Sequence, residues 1–357
     1  MISKEVRLLS QMISIPSVSR QEVGVADLIE QELADRGMSP RRLHNNVWAL
    51  PEHFDSSLPT LLLNSHCDTV RPVDSWTRDP FSPTIEDNRL YGLGSNDAGG
   101  SVVSLISLFE EVRSRRLPFN PVLAVTAQEE VMGPEGMRAF LPHLIEEEGI
   151  AVDMVIVGEP TEMQPAIGER GLVVLDAVTE GRSGHAARGE GVNALYKAID
   201  DINRLRTFKW PRESSLLGPI SLSVTQIEAG SQHNVIPDKC GWVVDVRTTD
   251  AFSNREVVDM LQAQVDSKLT PRSTRVWASA LPLSHPLASA AIKAGRTPFV
   301  SPTTSDMALM HNINSLKIGP GVSSRSHTAD EYILLEELAG AAGIYRNILN
   351  NLASLLK

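Results

Sequence analysis

Cysteine is nearly absent from this chain of 357 residues: Cys67 and Cys240 stand alone, far apart and without metal-ligand spacing. Such a pair supports no disulfide framework and suits a reducing compartment. Long apolar runs are missing too, and nowhere do about 18 such residues follow one another, which argues against a membrane-spanning helix. The Met1-Ile2-Ser3-Lys4 start leads into an amphipathic pattern, not into the apolar core of about 7–15 residues that marks a secretory signal. A cytoplasmic protein is expected. Basic charge is in deficit, with 33 Lys and Arg against 44 Asp and Glu and a net charge of −11. Nucleic acid and anionic membranes attract basic surfaces, so neither is expected as a partner. What the chain does have is 42% apolar content, ample for a core; at roughly 100–200 residues per domain its length suggests two domains.

Periodicity gives the organisation. Helical spacing covers Lys4 to Ile13 and a second segment ending near Arg36, the latter opened by the capping-box pattern Ser19-Arg20-Gln21-Glu22. Short apolar runs then alternate with helical stretches: a strand over 60–64, a helix over 100–113, a strand over 122–127, a helix over 135–144 and a strand over 154–157. That rhythm predicts an α/β catalytic domain with a mainly parallel sheet flanked by helices. Between about Gly168 and Ala278 the pattern becomes βαββαβ, with strands near 173–178, 220–227, 242–247 and 274–278 and helices near 192–206 and 254–268. It reads as an inserted α+β domain. The expected division is therefore a discontinuous catalytic domain, 1–167 with 279–357, and an insert over 168–278. A strand over 315–318 and a terminal helix from near Leu334 complete the chain.

The chemistry-bearing residues follow predicted strands. His66 and Asp68 close the run Leu61-Leu62-Leu63-Asn64-Ser65-His66-Cys67-Asp68; two apart in an extended segment, they face one side, so Asp68 can orient the His66 ring. Asp97 lies in Gly92-Leu93-Gly94-Ser95-Asn96-Asp97-Ala98-Gly99-Gly100-Ser101. A phosphate-loop reading of that stretch, and with it a nucleotide-binding protein, lacks the loop lysine, and Asp97 would put negative charge in the cradle. Glu129-Glu130 ends a buried strand, where one carboxylate can bind a cation while its neighbour stays free to take a proton. Glu159 precedes Pro160, and His327 sits in a loop after Gly319-Pro320-Gly321; Asp330-Glu331 beyond it suits a helix start. In open parallel sheets ligands gather beyond the carboxyl ends of the strands, so these residues are expected to converge.

In this order the residues resemble the two-zinc amidohydrolases and peptidases that include acetylornithine deacetylase, succinyl-diaminopimelate desuccinylase, aminoacylase and carboxypeptidase G, with acetylornithine deacetylase nearest. The resemblance covers essentially the whole chain. It implies two Zn²⁺ ions, replaceable by Co²⁺ or another divalent metal. Asp97 would bridge them, with His66 and Glu159 on one and Glu130 and His327 on the other. Glu129 resembles the general base and Asp68 the acid that orients His66. The insert resembles a dimerisation lid, in which Ser183-Gly184-His185-Ala186-Ala187 matches the motif whose histidine reaches the active site of a second subunit. Asn234, in Gln232-His233-Asn234-Val235-Ile236-Pro237-Asp238, and Arg247, in Asp245-Val246-Arg247, would contact the substrate carboxylate. One departure stands out: Gly99 occupies a position where the family often has lysine.

The function so implied is hydrolysis of an N-acyl amino acid, N-acetylornithine or an acetyl- or succinyl-citrulline or -ornithine, in arginine biosynthesis, by a homodimer. Arg325, two residues before His327, is expected to read a second negative charge on a succinyl group. The alternatives are a succinyl-diaminopimelate desuccinylase, a dipeptidase of the same chemistry, and, outside hydrolysis, the nucleotide-binding reading of Gly92–Ser101 or a metal-retaining but inactive dimeric interaction protein.

Overall fold

The computed structural model describes residues 3–357; Met1 and Ile2, which open the expected catalytic domain, lie outside the described residues. The chain divides into two compact units. The first takes in the chain up to Gly168 together with Leu281–Ser301 and Ser305–Lys357, and the second Glu169–Ala280 with Pro302–Thr304.

In the first unit a mixed sheet runs in the order Arg41–Leu43, Asn46–Ala49, Asn120–Thr126, Thr60–His66, Met154–Val157, Asn314–Lys317 and Ala166–Glu169. Four neighbouring strands, from Asn120–Thr126 to Asn314–Lys317, are parallel. The strands outside them pair antiparallel. The parallel strands are buried along almost their whole length, as befits a sheet with both faces covered. Helices flank it, among them Gly100–Val112 and the terminal Leu335–Leu355, which pack together and against Lys4–Ile13. The α/β class expected from the sequence is borne out, with antiparallel edges added to the parallel centre.

Two local expectations change. The second helix is Val23–Asp35, and its N-cap, Glu22, makes no side-chain cap bond. Arg20 stands in the left-handed region (φ 76°), so Ser19 is turned away from the helix, and its hydroxyl donates to Asp68 Oδ2 at 2.7 Å. The helix expected over 135–144 is shorter, Met137–Pro142, and continues as a wider turn over His143–Glu147.

The second unit is a four-stranded antiparallel sheet in the order Ser221–Ala229, Lys239–Thr248, Gly171–Glu180, Lys268–Pro271, with helices Ala194–Thr207 and Asn254–Gln262. Alternate residues of Gly171–Glu180 and Lys239–Thr248 are buried. They build a core around Leu175, Trp242, Val244 and Val246, in which the Trp242 indole N–H donates to Thr179 Oγ1 at 3.0 Å. The element order is βαββαβ, but the helix expected over 254–268 ends at Gln262, and the last strand forms at Lys268–Pro271 and not at 274–278. The Gln262 side chain explains the early stop: it donates to Ser267 O at 2.9 Å and accepts the Leu269 N–H at 2.9 Å, turning the chain into the strand.

Candidate metal centre

Three parallel neighbours set the site. Thr60–His66 lies between Asn120–Thr126 and Met154–Val157, so their carboxyl ends bring His66, Glu129-Glu130 and Glu159 to one edge. After Asn120–Thr126, Gln128 takes a left-handed conformation (φ 56°) and starts the single turn Glu129–Val131.

His66 is 1% exposed. Its Nε2 lies 3.2 Å from Asp97 Oδ1 and 3.6 Å from Glu159 Oε1. Its Nδ1 faces Asp68, 3.0 Å from the backbone oxygen and 3.4 Å from Oδ1. The other oxygen of Asp97, Oδ2, is 3.6 Å from His327 Nε2, which also lies 3.0 Å from Glu130 Oε2. Each oxygen of Asp97 thus faces a different imidazole, the disposition of a carboxylate that can bridge two cations. Ligand atoms of His66, Asp97 and Glu130 all lie within 4.8 Å of one another.

Electrostatics point the same way. Burial raises Glu159 to about 8, helped by the charge of Asp97. Burial also lifts Glu129 well above the carboxylate range, with Glu159, Asp306 and Glu130 adding to it. His327 is raised to about 9 by its hydrogen bond to Glu130. Burial opposes the ionised form of Asp97, yet the His66 ring outweighs it and holds this carboxyl below its usual range. Buried acids this close cost several kcal/mol each when uncompensated. Divalent cations on hard oxygen and imidazole donors would relieve that cost, so the donor set fits the metals expected from the sequence.

Asp68 is fully buried and does more than face His66. It accepts the backbone N–H groups of Glu129 and Glu130, at 3.0 and 3.2 Å, as well as the Ser19 hydroxyl. Among the described residues the Glu129 carboxylate has no hydrogen-bond partner; the Glu129 backbone N–H, by contrast, is held by Asp68. Asp306, also buried, accepts from Asn64 Nδ2 and Thr126 Oγ1, each at 2.9 Å, and burial lifts it to about 6.

Glu331 is the residue that sequence reasoning missed. It is 2% exposed and does not start the terminal helix; its carboxylate accepts the backbone N–H groups of Gly94, Asn96 and Asp97 at 3.2, 2.8 and 3.0 Å. Burial and the charge of Asp97 raise it to about 8. The N–H groups that a nucleotide phosphate would need at Gly92–Ser101 are therefore held by the protein's own acid.

The remaining candidates fall elsewhere. Arg325 donates to Glu337 Oε2 at 2.7 Å, and its guanidinium lies 4.5 Å from the Tyr332 ring centre. His185, Asn234 and Arg247 belong to the second unit. There His185 pairs with Val235 across a two-residue ladder, and its Nδ1 accepts the Ala187 N–H at 3.2 Å. That contact leaves the proton of the neutral ring on Nε2. Arg247 grips Asp245 through two hydrogen bonds, of 2.8 and 3.1 Å.

The sequence model of peptidase family M20/M25/M40 matches residues 62–351. The chain belongs to this family. The metal-dependent hydrolase expected from the sequence is borne out at that level. A succinyl-diaminopimelate desuccinylase of Delftia acidovorans is 26% identical over 385 residues, 98% of each chain. One from Xanthomonas oryzae pv. oryzae is 28% identical over 372 residues, 97% of this chain and 98% of the relative. Among solved structures of the same fold, the aminopeptidase PepT of Bacillus cereus has a TM-score of 0.77 at 18% identity, over 98% of each chain. The YxeP protein of Bacillus subtilis, described as a dinuclear metal binding peptidase from the M20 family, has a TM-score of 0.72 at 17% identity, over 99% of this chain and 98% of that one. None of these relatives carries the acetylornithine deacetylase name. Among the described residues, no helix is long and apolar enough to cross a membrane.

Proposed function

We propose that the chain hydrolyses the amide bond of an N-acyl amino acid with the help of two divalent ions, and that its substrate is an N-succinyl diamino acid such as succinyl-diaminopimelate. The observation that carries the two-metal reading is the split of Asp97 between His66 and His327. The choice of substrate rests on the desuccinylase relatives, which favour that alternative over the acetylornithine expectation and its place in arginine biosynthesis.

In this reading His66 and Glu159 would hold one ion, Glu130 and His327 the other, and Asp97 would serve both. The ions would supply positive charge that polarises the amide carbonyl and acidifies water. Glu129 then takes the proton of the attacking water and returns it to the leaving amine. Asp68 keeps the His66 ring aligned and fixes the turn on which Glu129 stands. His185, contributed by a second copy of the chain, donates its Nε2–H to the developing oxyanion; the Ser183–Ala187 motif supports this role. Asn234 and Arg247 bind the substrate carboxylate, for which Arg247 exchanges Asp245. Arg325, occupied by Glu337 and Tyr332, belongs to the structure of its loop and not to acyl recognition.

The test is a hydrolysis panel on zinc-loaded protein, with N-acetyl and N-succinyl forms of ornithine, citrulline and diaminopimelate, and dipeptides. The expected result is the highest kcat/KM on succinyl-diaminopimelate. A preference for N-acetylornithine would restore the deacetylase reading, a dipeptide preference would move the chain to peptidases, and zinc binding without turnover of any compound would leave an interaction protein.

A further inference from the structure

The loop around Asp97 closes backbone hydrogen bonds of its own, from Ser95 N–H to Gly92 O at 3.1 Å and from Gly99 N–H to Gly94 O at 2.9 Å, but the N–H groups of Gly94, Asn96 and Asp97 turn to another segment. Gly94 adopts φ 76°, and between it and Gly100 the backbone of Asp97 and Ala98 leaves helical geometry (φ −122° and −120°). Backbone N–H groups that point away from helix or sheet cost free energy when buried without an acceptor. Glu331 supplies the acceptors. One carboxylate oxygen takes Asn96 and Asp97, the other takes Gly94, and the backbone oxygen of Glu331 accepts the Gly92 N–H at 3.0 Å. Asn96 ties the same two segments from the other side. Its amide donates to Val322 O and Ser326 Oγ, at 3.1 and 3.2 Å, and accepts the Val322 N–H at 2.9 Å. The loop bearing Asp97 and the loop bearing His327 are thus joined by contacts that run from Gly92 to Asp97 itself, while the His327 backbone sits in the left-handed region (φ 60°).

We propose that Glu331 is a positioning residue for the metal centre: by gathering the Gly94, Asn96 and Asp97 N–H groups it sets the distance between Asp97 and His327, and so lets one carboxylate serve two ions. This rests on the two-metal reading. Glu331 touches neither substrate nor metal in it; the acid works through the backbone. A glutamine of the same size offers a single acceptor and presents an N–H₂ group to one of the three donors, so the loop relaxes on that side.

The experiment compares wild type and Glu331→Gln by calorimetric titration of the metal-free proteins with Zn²⁺, alongside the visible spectrum of the Co²⁺ forms and steady-state kinetics. Partners that orient metal ligands are worth roughly 10–100-fold in metal affinity or activity. The variant is expected to lose that much affinity for its weaker-bound ion and a similar factor in kcat, with KM within about threefold and an altered Co²⁺ spectrum. Unchanged affinity, spectrum and kcat would overturn the proposal. So would a lowered melting temperature of the metal-free variant with normal affinity in the folded fraction, because that is a purely structural role. Should the variant not fold, amide exchange in metal-free wild type decides: protection at Gly94, Asn96 and Asp97 is expected, and free exchange there overturns the clamp. If wild type itself binds no zinc, the two-metal reading fails first, which is a separate result.

Discussion

Asp68 Oδ1 accepts the backbone N–H of Glu129 at 3.0 Å, so the residue that faces the His66 ring also holds the turn carrying the proposed base. Removing Asp68 should therefore damage two functions at once. Asp68→Ala is expected to lower both metal affinity and kcat by roughly 10–100-fold each. Metal titration and steady-state kinetics on the same preparation measure this; a loss confined to KM would separate Asp68 from the centre.

For Glu129→Gln the expectation is different. Among the described residues the side chain has no hydrogen-bond partner to lose, and general-base help is worth roughly 10²–10⁴-fold. The variant should fall by that factor in kcat while binding zinc like the wild type. Near-normal turnover would remove Glu129 as the base.

Chelation should make stability pH-dependent. In the metal-free protein Glu159 stands at about 8 and His327 at about 9. A carboxyl raised by folding binds its proton more tightly in the folded than in the unfolded chain, so its contribution is complete below the ordinary value of about 4.5 and is lost as pH climbs from there through about 8. The raised histidine has the same sign: its contribution is complete below the ordinary value of about 6.5 and is lost as pH passes about 9. Melting temperatures of chelated protein should fall between about pH 4.5 and 9, while those of zinc-loaded protein stay nearly level because the ions replace the protons. Parallel curves for the two forms would contradict the crowding at this site.

Complementation tests the role of His185 in a second copy. Glu129→Gln and His185→Ala are each expected to be nearly inactive alone. Mixed and allowed to re-pair, half of the dimers are hybrids with one intact site, which restores roughly a quarter of the wild-type rate in a two-fold assembly. No recovery, with hybrids demonstrated by native mass spectrometry, would place His185 in the site of its own chain.

Arg325→Ala should leave the ratio of succinyl to acetyl kcat/KM unchanged. Its guanidinium is engaged by Glu337 and Tyr332, so the cost should appear in unfolding as about 1.5–3 kcal/mol, the range for a hydrogen bond to a charged group. A selective loss on succinyl substrates would return Arg325 to substrate recognition.

How much of this was legible in the sequence depended on whether an interaction was local. Three of the four parallel strands were readable because each carries a short apolar run, Leu61–Leu63, Val122–Val125 and Met154–Val157, with acids or a histidine soon after it, and their order brings His66, Glu129, Glu130 and Glu159 to one edge. Two residues were misread because their real partners are distant in sequence. Ser19 has the spacing of a helix cap but serves Asp68, and Glu331 resembles a helix-initiating acid but serves the Gly94–Asp97 backbone. Burial of the acids was the missing signal: Asp68, fully buried, and Glu331, held at 2% exposure, must have donors, and no local pattern names them. The strand at Lys268–Pro271 was displaced for a similar reason, since a Gln262 side chain ended the helix where periodicity alone would have continued it.

The insert also orders events during synthesis. Asn314–Lys317, an interior strand of the first sheet, and His327 both emerge after the whole of Glu169–Ala280. The antiparallel second unit is contiguous apart from Pro302–Thr304, so nearly all of it is available to fold while the parallel sheet still lacks a middle member, in keeping with domains folding as units while the chain grows. Until the last segment docks, four acids and one imidazole face an unfinished edge. With His327 as a proposed ligand, complete metal loading would come late in maturation, and a ribosome-bound chain that stops short of His327 should bind zinc weakly however well its insert has folded.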